Sequence, residues 1–197
     1  MTIFFLILLS YTLGSIPTGI WIGKYYYHTD IRKHGSGNSG STNTFRVLGK
    51  KAGTIVLLID IFKGTLPTLL AILCHVSLHP ILIGLFAILG HTFSMFAHFK
   101  GGKAVATSAG VILAIYPLFI LVGICLFGIL LYFTRMVSLS SMTTAILLAI
   151  TSCFTQDWIF STVAILLALF IVYRHRTNIV RIKNGTESKV PFGFKVK

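Results

Sequence analysis

Six long apolar runs dominate the chain and constrain its fold more than any other feature. Short polar segments separate them, and they cover residues 2–23, 52–73, 81–97, 104–132, 137–154 and 158–173. Only 11% of the 197 residues are charged, whereas about a quarter are charged in a typical soluble domain. The mean hydropathy is +0.88. Because a helix of about 20 apolar residues crosses a bilayer, the chain is predicted to be an all-α integral membrane protein.

The fourth run decides the number of membrane crossings. As one helix, residues 104–132 would be about 43 Å long, whereas the hydrocarbon core of a bilayer is about 30 Å thick. Pro117 and Gly123 interrupt this run, and proline does not continue a helix. We therefore predict a break near Tyr116 and two crossings. The first run, residues 2–23, has no basic residue before it and is predicted to be one retained helix.

The distribution of lysine and arginine favours a compact bundle of seven transmembrane helices. With an external N-terminus and a cytoplasmic C-terminus, the cytoplasm receives all of the 17 basic residues except Lys63, which lies within a span. A re-entrant pair with five full spans keeps the same sidedness and stays an alternative. Residues 1–197 show no internal repeat or linker, so they are predicted to form a single membrane-embedded domain.

The formal net charge of +13 points to anionic partners, such as phosphorylated substrates or lipid headgroups. A nucleic-acid binder is disfavoured, because the basic residues interleave with the spans and form no aromatic platform. Cys74, Cys125 and Cys153 lie far apart, without the spacing of metal ligands. No metal and no other cofactor is predicted.

The first of three polar segments, residues 35–43, is rich in small residues. Gly35, Ser36, Gly37 and Asn38 open it, and Arg46 follows it. Glycine lets a chain approach a ligand closely, and backbone N–H groups beside an arginine suit a phosphate. The alternative interpretation is a flexible Gly/Ser connector.

The second segment is a turn of Gly101, Gly102 and Lys103 that opens directly into an apolar helix. The N–H groups of the first helical turn, the helix dipole and a lysine together make a site for an anion. The spacing does not match a Walker A motif. The alternative is a basic anchor at the membrane interface.

The third segment, residues 173–181, lies at the end of the last span. His175 and Asn178 are three residues apart and share a face if the segment is helical. A basic interfacial cluster is the alternative interpretation. Ser138, Ser140 and Ser141 lie at the start of another helix, where hydroxyl groups cap N–H groups and can bind an anion.

Other ionisable residues lie within the apolar runs. Asp60 and Lys63 are three residues apart, and we expect them to turn inward toward each other or toward a polar cavity. His91 is expected to line a cavity. His75 and His79 have no acidic or thiol partner nearby, which disfavours a metal site there.

Taken together, the polar segments resemble those of the bacterial membrane acyltransferases that acylate glycerol 3-phosphate from acyl phosphate. The matching motifs follow in order along essentially the whole chain: Gly-Ser-Gly-Asn-x-Gly-x-Thr-Asn at 35–43, Gly-His at 90–91, Gly-Gly-Lys-x-Val-Ala-Thr at 101–107, Arg-His-Arg-x-Asn-Ile at 174–179 and Asn-Gly-Thr-Glu at 184–187. Ser39, Ser41 and Ala104 depart from the commonest family pattern, which has Pro, Ala and often Gly at these positions.

The resemblance implies a seven-span enzyme of the cell membrane whose active site faces the cytoplasm. It would make 1-acyl-glycerol 3-phosphate and inorganic phosphate, the first acylation step of phospholipid synthesis. The catalytic residues would be Ser36, Arg46, Lys103, His175 and Asn178. The substrate-binding residues would be Gly35, Gly37, Asn38, Gly101, Gly102, Lys103, Ser140 and Ser141. Glu187 would support the site, and Ala104 would place an extra methyl group beside the phosphate.

The chemistry expected of such a site needs no enzyme nucleophile, because an acyl phosphate is already activated. Arg46, Lys103 and the loop N–H groups would neutralise the phosphates and the charge on the leaving group. The attacking hydroxyl group would lose its proton to His175 or to a substrate phosphate oxygen. We favour the substrate, with His175 and Asn178 positioning the acceptor.

A small transporter or channel for an anionic phosphorylated metabolite is the alternative function. A transporter is expected to hold its ligand near the middle of the membrane, often between internal repeats. In this sequence the polar segments are predicted to gather at one face.

Overall fold

The computed structural model describes residues 1–194, and the regular elements within them are helices. Residues 195–197, which include the last two lysines of the predicted cytoplasmic tail, lie outside the described residues. The α-helices follow in the order α1 (Thr2–Ser15), α2 (Thr18–Tyr27), α3 (Ser41–Leu73), α4 (Pro80–Thr92), α5 (Val105–Ile115), α6 (Pro117–Thr134), α7 (Val137–Ser152), α8 (Trp158–Arg174) and α9 (Arg176–Lys183). The all-α fold class is confirmed.

Several helices are long and apolar enough to cross a membrane. They are α3, α6, and α4 together with the 3-10 turn that follows it. The bent pairs α1–α2 and α8–α9 raise the number of spans from three to five if each pair crosses once. Helices α5 and α7 are apolar but shorter. By length and composition the described residues therefore provide three to five spans, and the count of seven stays a prediction.

The fourth apolar run is broken where the sequence predicts. Helix α5 ends at Ile115 and α6 begins at Pro117. Between them, Tyr116 has φ −130° and ψ 71°, which are not helical angles. Proline disfavours the helical conformation in the residue before it, so the local sequence accounts for the break.

The first apolar run is not one helix, and that prediction is wrong. Helices α1 and α2 meet at a bend of 44°. Pro17 has no N–H group with which to continue the helix. The break leaves the carbonyl oxygens of Ser15 and Ile16 without helical partners, and they accept hydrogen bonds from Ser94 Oγ and Lys63 Nζ.

The chain divides into two compact units, Met1–Pro117 and Leu118–Lys197. In the first unit, α1 packs on α4, and α3 packs on α4 and α5. Glycines allow these helices to approach closely. A side chain at Gly14 would overlap the backbone of Ala87, and one at Gly64 would overlap the carbonyl group of Thr107. Small residues at helix contacts are typical of membrane proteins.

In the second unit, α7 packs on α8. Phe160 of α8 is fully buried and meets Phe119 edge to face, with the ring centroids 5.2 Å apart. The chain after α9 returns to the turn between α6 and α7, where Arg135 Nε donates to the carbonyl oxygens of Val190 and Phe192, each at 3.1 Å. The side chains of α6 are mostly exposed, which suits contact with lipid.

Candidate functional site

Asn43 organises the first polar segment. This residue is 1% exposed. The side-chain oxygen accepts hydrogen bonds from the N–H and hydroxyl groups of Ser36, at 2.8 and 3.1 Å. The side-chain nitrogen donates to the carbonyl oxygens of Ile31, His34 and Asn38, at 2.8, 3.1 and 2.9 Å. One buried amide therefore shapes the loop and orients Ser36, a role that the sequence analysis missed.

The backbone of this loop is engaged within the protein. The N–H group of Gly37 donates to the carbonyl oxygen of His34 at 3.1 Å, and that of Gly40 donates to Asn38 Oδ1 at 2.8 Å. Together with the N–H group of Ser36, these donors hold the shape of the loop. The expectation that they form a nest for phosphate does not match the structure.

Arg46 and Gly35 flank this network. Arg46 is exposed, on the helical turns of α3 that precede a non-helical residue at Gly49. Gly35 has φ 59°, in the left-handed region that favours glycine. A Cβ atom there would overlap the side-chain oxygen of Asn43. This glycine is therefore required by its conformation and by the close approach of Asn43.

The Gly101–Gly102–Lys103 turn lies directly before α5, as predicted. The N–H group of Gly101 donates to the carbonyl oxygen of Thr92 at 2.9 Å, and that of Gly102 donates to the carbonyl oxygen of His91 at 3.1 Å. The expectation that these two N–H groups point at a substrate phosphate is wrong for this structure, because both are bonded to the end of α4. Lys103 is partly exposed.

A small pocket joins the first and second polar segments. Its walls come from the α1–α2 break, α3, the end of α4 and the two segments: Ile16, Pro17, Thr18, Ser39, Asp60, Lys63, His91, Ser94, Gly101 and Gly102. The volume is about 10 Å³, close to what a single water molecule needs. The structure thus brings Ser39 of the first segment to the Gly101–Gly102 turn of the second.

The ionisable residues of the apolar runs meet at this pocket. Lys63 Nζ lies 2.8 Å from Asp60 Oδ1, which confirms that the two turn toward each other. His91 lines the pocket, also as predicted, and its Nδ1 lies 3.8 Å from Asp60 Oδ1. All three side chains are buried.

His175 lies at the junction of α8 and α9, where the chain bends by 57°. His175 is the N-cap residue of α9, which contains Asn178, and its carbonyl oxygen accepts hydrogen bonds from the N–H groups of Asn178 and Ile179 at 2.8 and 2.9 Å. Both His175 and Asn178 are buried, and their shared face stays a prediction. The ring Nδ1 of His175 is 2.8 Å from the carbonyl oxygen of Ile171. A carbonyl oxygen only accepts, so Nδ1 carries the hydrogen and Nε2 is the basic nitrogen of the neutral ring.

Glu187 connects the third segment to α7. Its Oε1 accepts hydrogen bonds from Ser138 Oγ and Asn178 Nδ2, both at 2.7 Å, and its Oε2 accepts from Arg181 Nε at 2.9 Å. Burial alone would raise the pKa of Glu187, but the hydrogen bonds from Arg181, Ser138 and Asn178 outweigh it and lower the pKa below 4.5. The ionised carboxylate therefore orients Asn178. Ser138, predicted as a helix-start hydroxyl, donates to this carboxylate, a partner that the sequence does not predict.

Ser140 and Ser141 lie near the start of α7, as predicted, but they do not cap its N–H groups. The Ser140 hydroxyl donates to the carbonyl oxygen of Met136 at 2.9 Å, and the Ser141 hydroxyl donates to that of Val137 at 2.8 Å. Serine hydroxyls commonly bond to the carbonyl group four residues earlier in a helix. Their oxygen lone pairs remain suited to accept hydrogen bonds.

The predicted site residues divide between the two units. The first unit holds Ser36, Arg46 and the Gly101–Lys103 turn, and the second holds Ser140, Ser141, His175, Asn178 and Glu187. Within residues 1–194, no group of three or more His, Cys, Asp and Glu side chains is placed to hold a metal ion. Apart from the glycines and the Glu187 carboxylate, these residues carry cationic, hydroxyl, amide and imidazole groups, a set suited to binding phosphate esters.

Comparison with known proteins assigns the family. The family model for glycerol-3-phosphate acyltransferase matches residues 4–185. The chain belongs to the glycerol-3-phosphate acyltransferase family. Relatives with this name include the one from Levilactobacillus brevis, 52% identical over 95% of this chain and 93% of its own length, and the one from Enterococcus faecalis, 52% identical over 100% and 96%.

Two solved structures are similar to this acyltransferase over nearly its whole length. The first is the glycerol 3-phosphate form of PlsY (YgiH), an integral membrane glycerol 3-phosphate acyltransferase, with a TM-score of 0.90, 38% identity and 96% coverage of both chains. The lysophosphatidic acid form of PlsY (YgiH) matches with a TM-score of 0.86 and 37% identity, over 96% of this chain and 95% of that one. The protein is thus an integral membrane enzyme of the acyltransferase class.

Proposed function

We propose that this acyltransferase moves an acyl group from acyl phosphate to the 1-hydroxyl group of glycerol 3-phosphate, at the cytoplasmic face of the cell membrane. The products are 1-acyl-glycerol 3-phosphate and inorganic phosphate. The PlsY structures support this reaction, since they are described as a glycerol 3-phosphate form and a lysophosphatidic acid form. An acyl phosphate donor suits a protein with apolar helices for the chain and basic loops for the phosphate.

The observation that carries the proposal is that the structure brings the first two polar segments together. Ser39 and the Gly101–Gly102 turn line the same cavity, and each segment carries a basic residue, Arg46 or Lys103. Guanidinium and ammonium groups beside glycine-rich backbone are well suited to phosphate. We assign Arg46 and Lys103 to the substrate phosphates and Ser36, held by Asn43, to a supporting hydrogen bond. The other predicted substrate-binding residues are assigned indirect or accepting roles. Gly35, Gly37 and Asn38 shape the first loop, Gly101 and Gly102 allow close approach because they carry no side chain, and the hydroxyl oxygens of Ser140 and Ser141 accept hydrogen bonds.

The chemical step is a displacement at the acyl carbon. The oxygen of the 1-hydroxyl group forms a bond to the carbonyl carbon, and the bond from that carbon to the phosphate oxygen breaks. Inorganic phosphate leaves with the electron pair, and the hydroxyl proton passes to a substrate phosphate oxygen. Nε2 of His175 and the amide of Asn178 position the acceptor, and Glu187 holds Asn178 in place.

The membrane topology proposed for this reaction has seven spans. The three long helices, the two bent pairs and the two shorter apolar helices add up to that number if each crosses once. At about 16 Å, the 11 residues of α5 span only part of a bilayer of about 30 Å. A seven-span arrangement therefore needs the Gly-Gly-Lys turn before α5 to lie below the level of the headgroups.

The proposal is tested with purified protein, acyl phosphate and labelled glycerol 3-phosphate, with lysophosphatidate as the readout. Acyl-CoA is the control donor and should give little product, because the site is assigned to a compact phosphate leaving group. His175→Ala and Asn178→Ala should lower kcat by about 10²-fold or more with a smaller change in KM. Lys103→Met should raise KM for glycerol 3-phosphate. Comparable turnover with acyl-CoA would contradict the donor assignment.

A further inference from the structure

A buried ionic cluster lies behind the Gly101–Gly102 turn, and none of the catalytic steps above uses it. Lys63 Nζ is 2.8 Å from Asp60 Oδ1 and donates to the carbonyl oxygen of Ile16 at 3.0 Å. His91 Nδ1 lies 3.8 Å from the same oxygen of Asp60. The three residues Asp60, Lys63 and His91 are 2%, 4% and 8% exposed.

Such a cluster is costly to bury. Removing charges from water carries a large desolvation penalty, and a well-packed apolar replacement of a buried ion pair is often equally stable or more stable. Stability alone therefore does not explain an ion pair at this place. The geometry around His91 indicates what the pair does instead.

His91 contacts the Gly-Gly-Lys turn through its backbone and through its ring. Its carbonyl oxygen accepts the hydrogen bond from the N–H group of Gly102 at 3.1 Å. Its imidazole lies so close to Gly102 that a Cβ atom there would overlap Nε2 and would lie only 2.9 Å from Cε1. The His91 ring thus packs directly against Gly102.

We propose that His91, held by the Asp60–Lys63 ion pair, is a positioning residue that sets the place of the Gly101–Gly102–Lys103 turn and thereby the affinity for glycerol 3-phosphate. This inference rests on the proposed function, in which the turn binds that substrate. Asp60 Oδ1 lies 3.8 Å from the ring on the Nδ1 side, and Gly102 packs against the ring on the Nε2 side. A shift of the ring therefore moves the residue next to Lys103.

A side chain would be blocked by different atoms at Gly101 and at Gly102. Neither is among the described glycines with positive φ, which are Gly35, Gly37, Gly49, Gly185 and Gly193. A Cβ atom at Gly101 would overlap the carbonyl oxygen of His91, which is backbone. At Gly102 the obstacle is the His91 ring. Truncating that ring should therefore remove the steric overlap of a side chain at position 102. The overlap of a side chain at position 101 should remain.

The test is a double-mutant cycle on the full-length enzyme in lipid nanodiscs. KM for glycerol 3-phosphate is measured with saturating acyl phosphate for Gly102→Ala, His91→Ala and the double variant, and Gly101→Ala is the matched control in both backgrounds. Gly102→Ala alone should raise KM by about tenfold, and it should change KM by less than about twofold when His91 is already alanine. Gly101→Ala should raise KM equally in both backgrounds. KM for acyl phosphate should not change.

Two further variants keep the result decisive. If His91→Ala does not fold, His91→Asn replaces it in the cycle, because Asn keeps an amide near the Nδ1 position and clears the space at Nε2. Ser10→Ala serves as the control for lost stability. Ser10 Oγ donates to the carbonyl oxygen of Ile83 at 2.7 Å in the buried contact of α1 with α4, so this variant should lower Tm and leave KM unchanged.

The outcomes separate the inference from the proposed function. If Gly102→Ala multiplies KM by the same factor in both backgrounds, His91 does not position the turn. Asp60→Asn should raise KM for glycerol 3-phosphate, as His91→Ala should. A normal KM for Asp60→Asn would show that the ion pair does not hold His91 in place. If Gly101→Ala, Gly102→Ala and Lys103→Met all leave KM for glycerol 3-phosphate unchanged, the turn does not bind this substrate. The part of the proposed function that assigns the substrate to the turn is then wrong.

Discussion

Ala104 is a residue whose backbone conformation is unfavourable for its side chain. It is fully buried at the start of α5 and has φ 67°. A left-handed conformation costs a non-glycine residue about 1–2 kcal/mol. We expect Ala104→Gly to raise the free energy of unfolding by about 1 kcal/mol, measured as a higher Tm in detergent. Ala106→Gly, within α5, should lower Tm instead, and a lower Tm for Ala104→Gly would contradict the argument.

Glu187 makes stability depend on pH. Its pKa in the folded protein lies below its ordinary value of 4.5. A carboxylate with a depressed folded pKa stabilises the fold above pH 4.5, and this contribution disappears as the pH falls through the folded pKa. Tm should therefore drop on acidification from about pH 5 to about pH 3, and Glu187→Gln should reduce the drop. Equal slopes for the two proteins in a thermal-unfolding series would contradict this.

At the residue scale, local spacing predicts some contacts and misses others. Asp60 and Lys63 could be paired from the sequence, because two opposite charges three residues apart in an apolar helix have few other ways to avoid lipid. The role of Asn43 could not. Its acceptors are main-chain carbonyl groups on both sides of a loop, and the path of that loop depends on packing that spacing alone does not encode.

At the scale of elements, the break at Pro17 carries a functional consequence. Pro17→Ala restores an N–H group and allows α1 and α2 to form one helix. The carbonyl oxygen of Ile16 would then accept a helical hydrogen bond, and Lys63 would lose its acceptor beside the pocket. KM for glycerol 3-phosphate should rise by about tenfold or more, since small displacements of a binding group have large kinetic effects.

A second proline provides the control for this prediction. Pro67 lies within α3, whose described interior departs from helical angles only at Gly49. Pro67→Ala removes a proline without closing a break beside the pocket, so KM should stay normal. Steady-state kinetics of the two variants in the same lipid makes the comparison. A normal KM for Pro17→Ala would show that the break does not shape the site.

The helix breaks also show how far the sequence predicts the elements. The sequence predicts the break at Tyr116, because the fourth run is too long for one crossing and a proline follows this residue. Pro17 gives the same local signal, but the first run has the length of a single span, which favours one uninterrupted helix. At His175 the sequence has no proline or glycine. The bend there accompanies a ring bonded to the carbonyl of Ile171, a contact that no sequence period predicts.

At the scale of the whole molecule, the order of the spans predicts which side of the membrane each loop faces. All three native cysteines are exposed, so each probe is placed alone in a background without the others. With seven spans, Cys74 and Cys153 should react with a membrane-impermeant maleimide in intact cells, whereas Lys183→Cys should react only after permeabilisation. Leu118→Cys distinguishes the alternatives, because it is external if α5 and α6 both cross and hidden within the bilayer if they form a re-entrant pair. Labelling of Cys153 and Lys183→Cys from the same side would contradict both topologies.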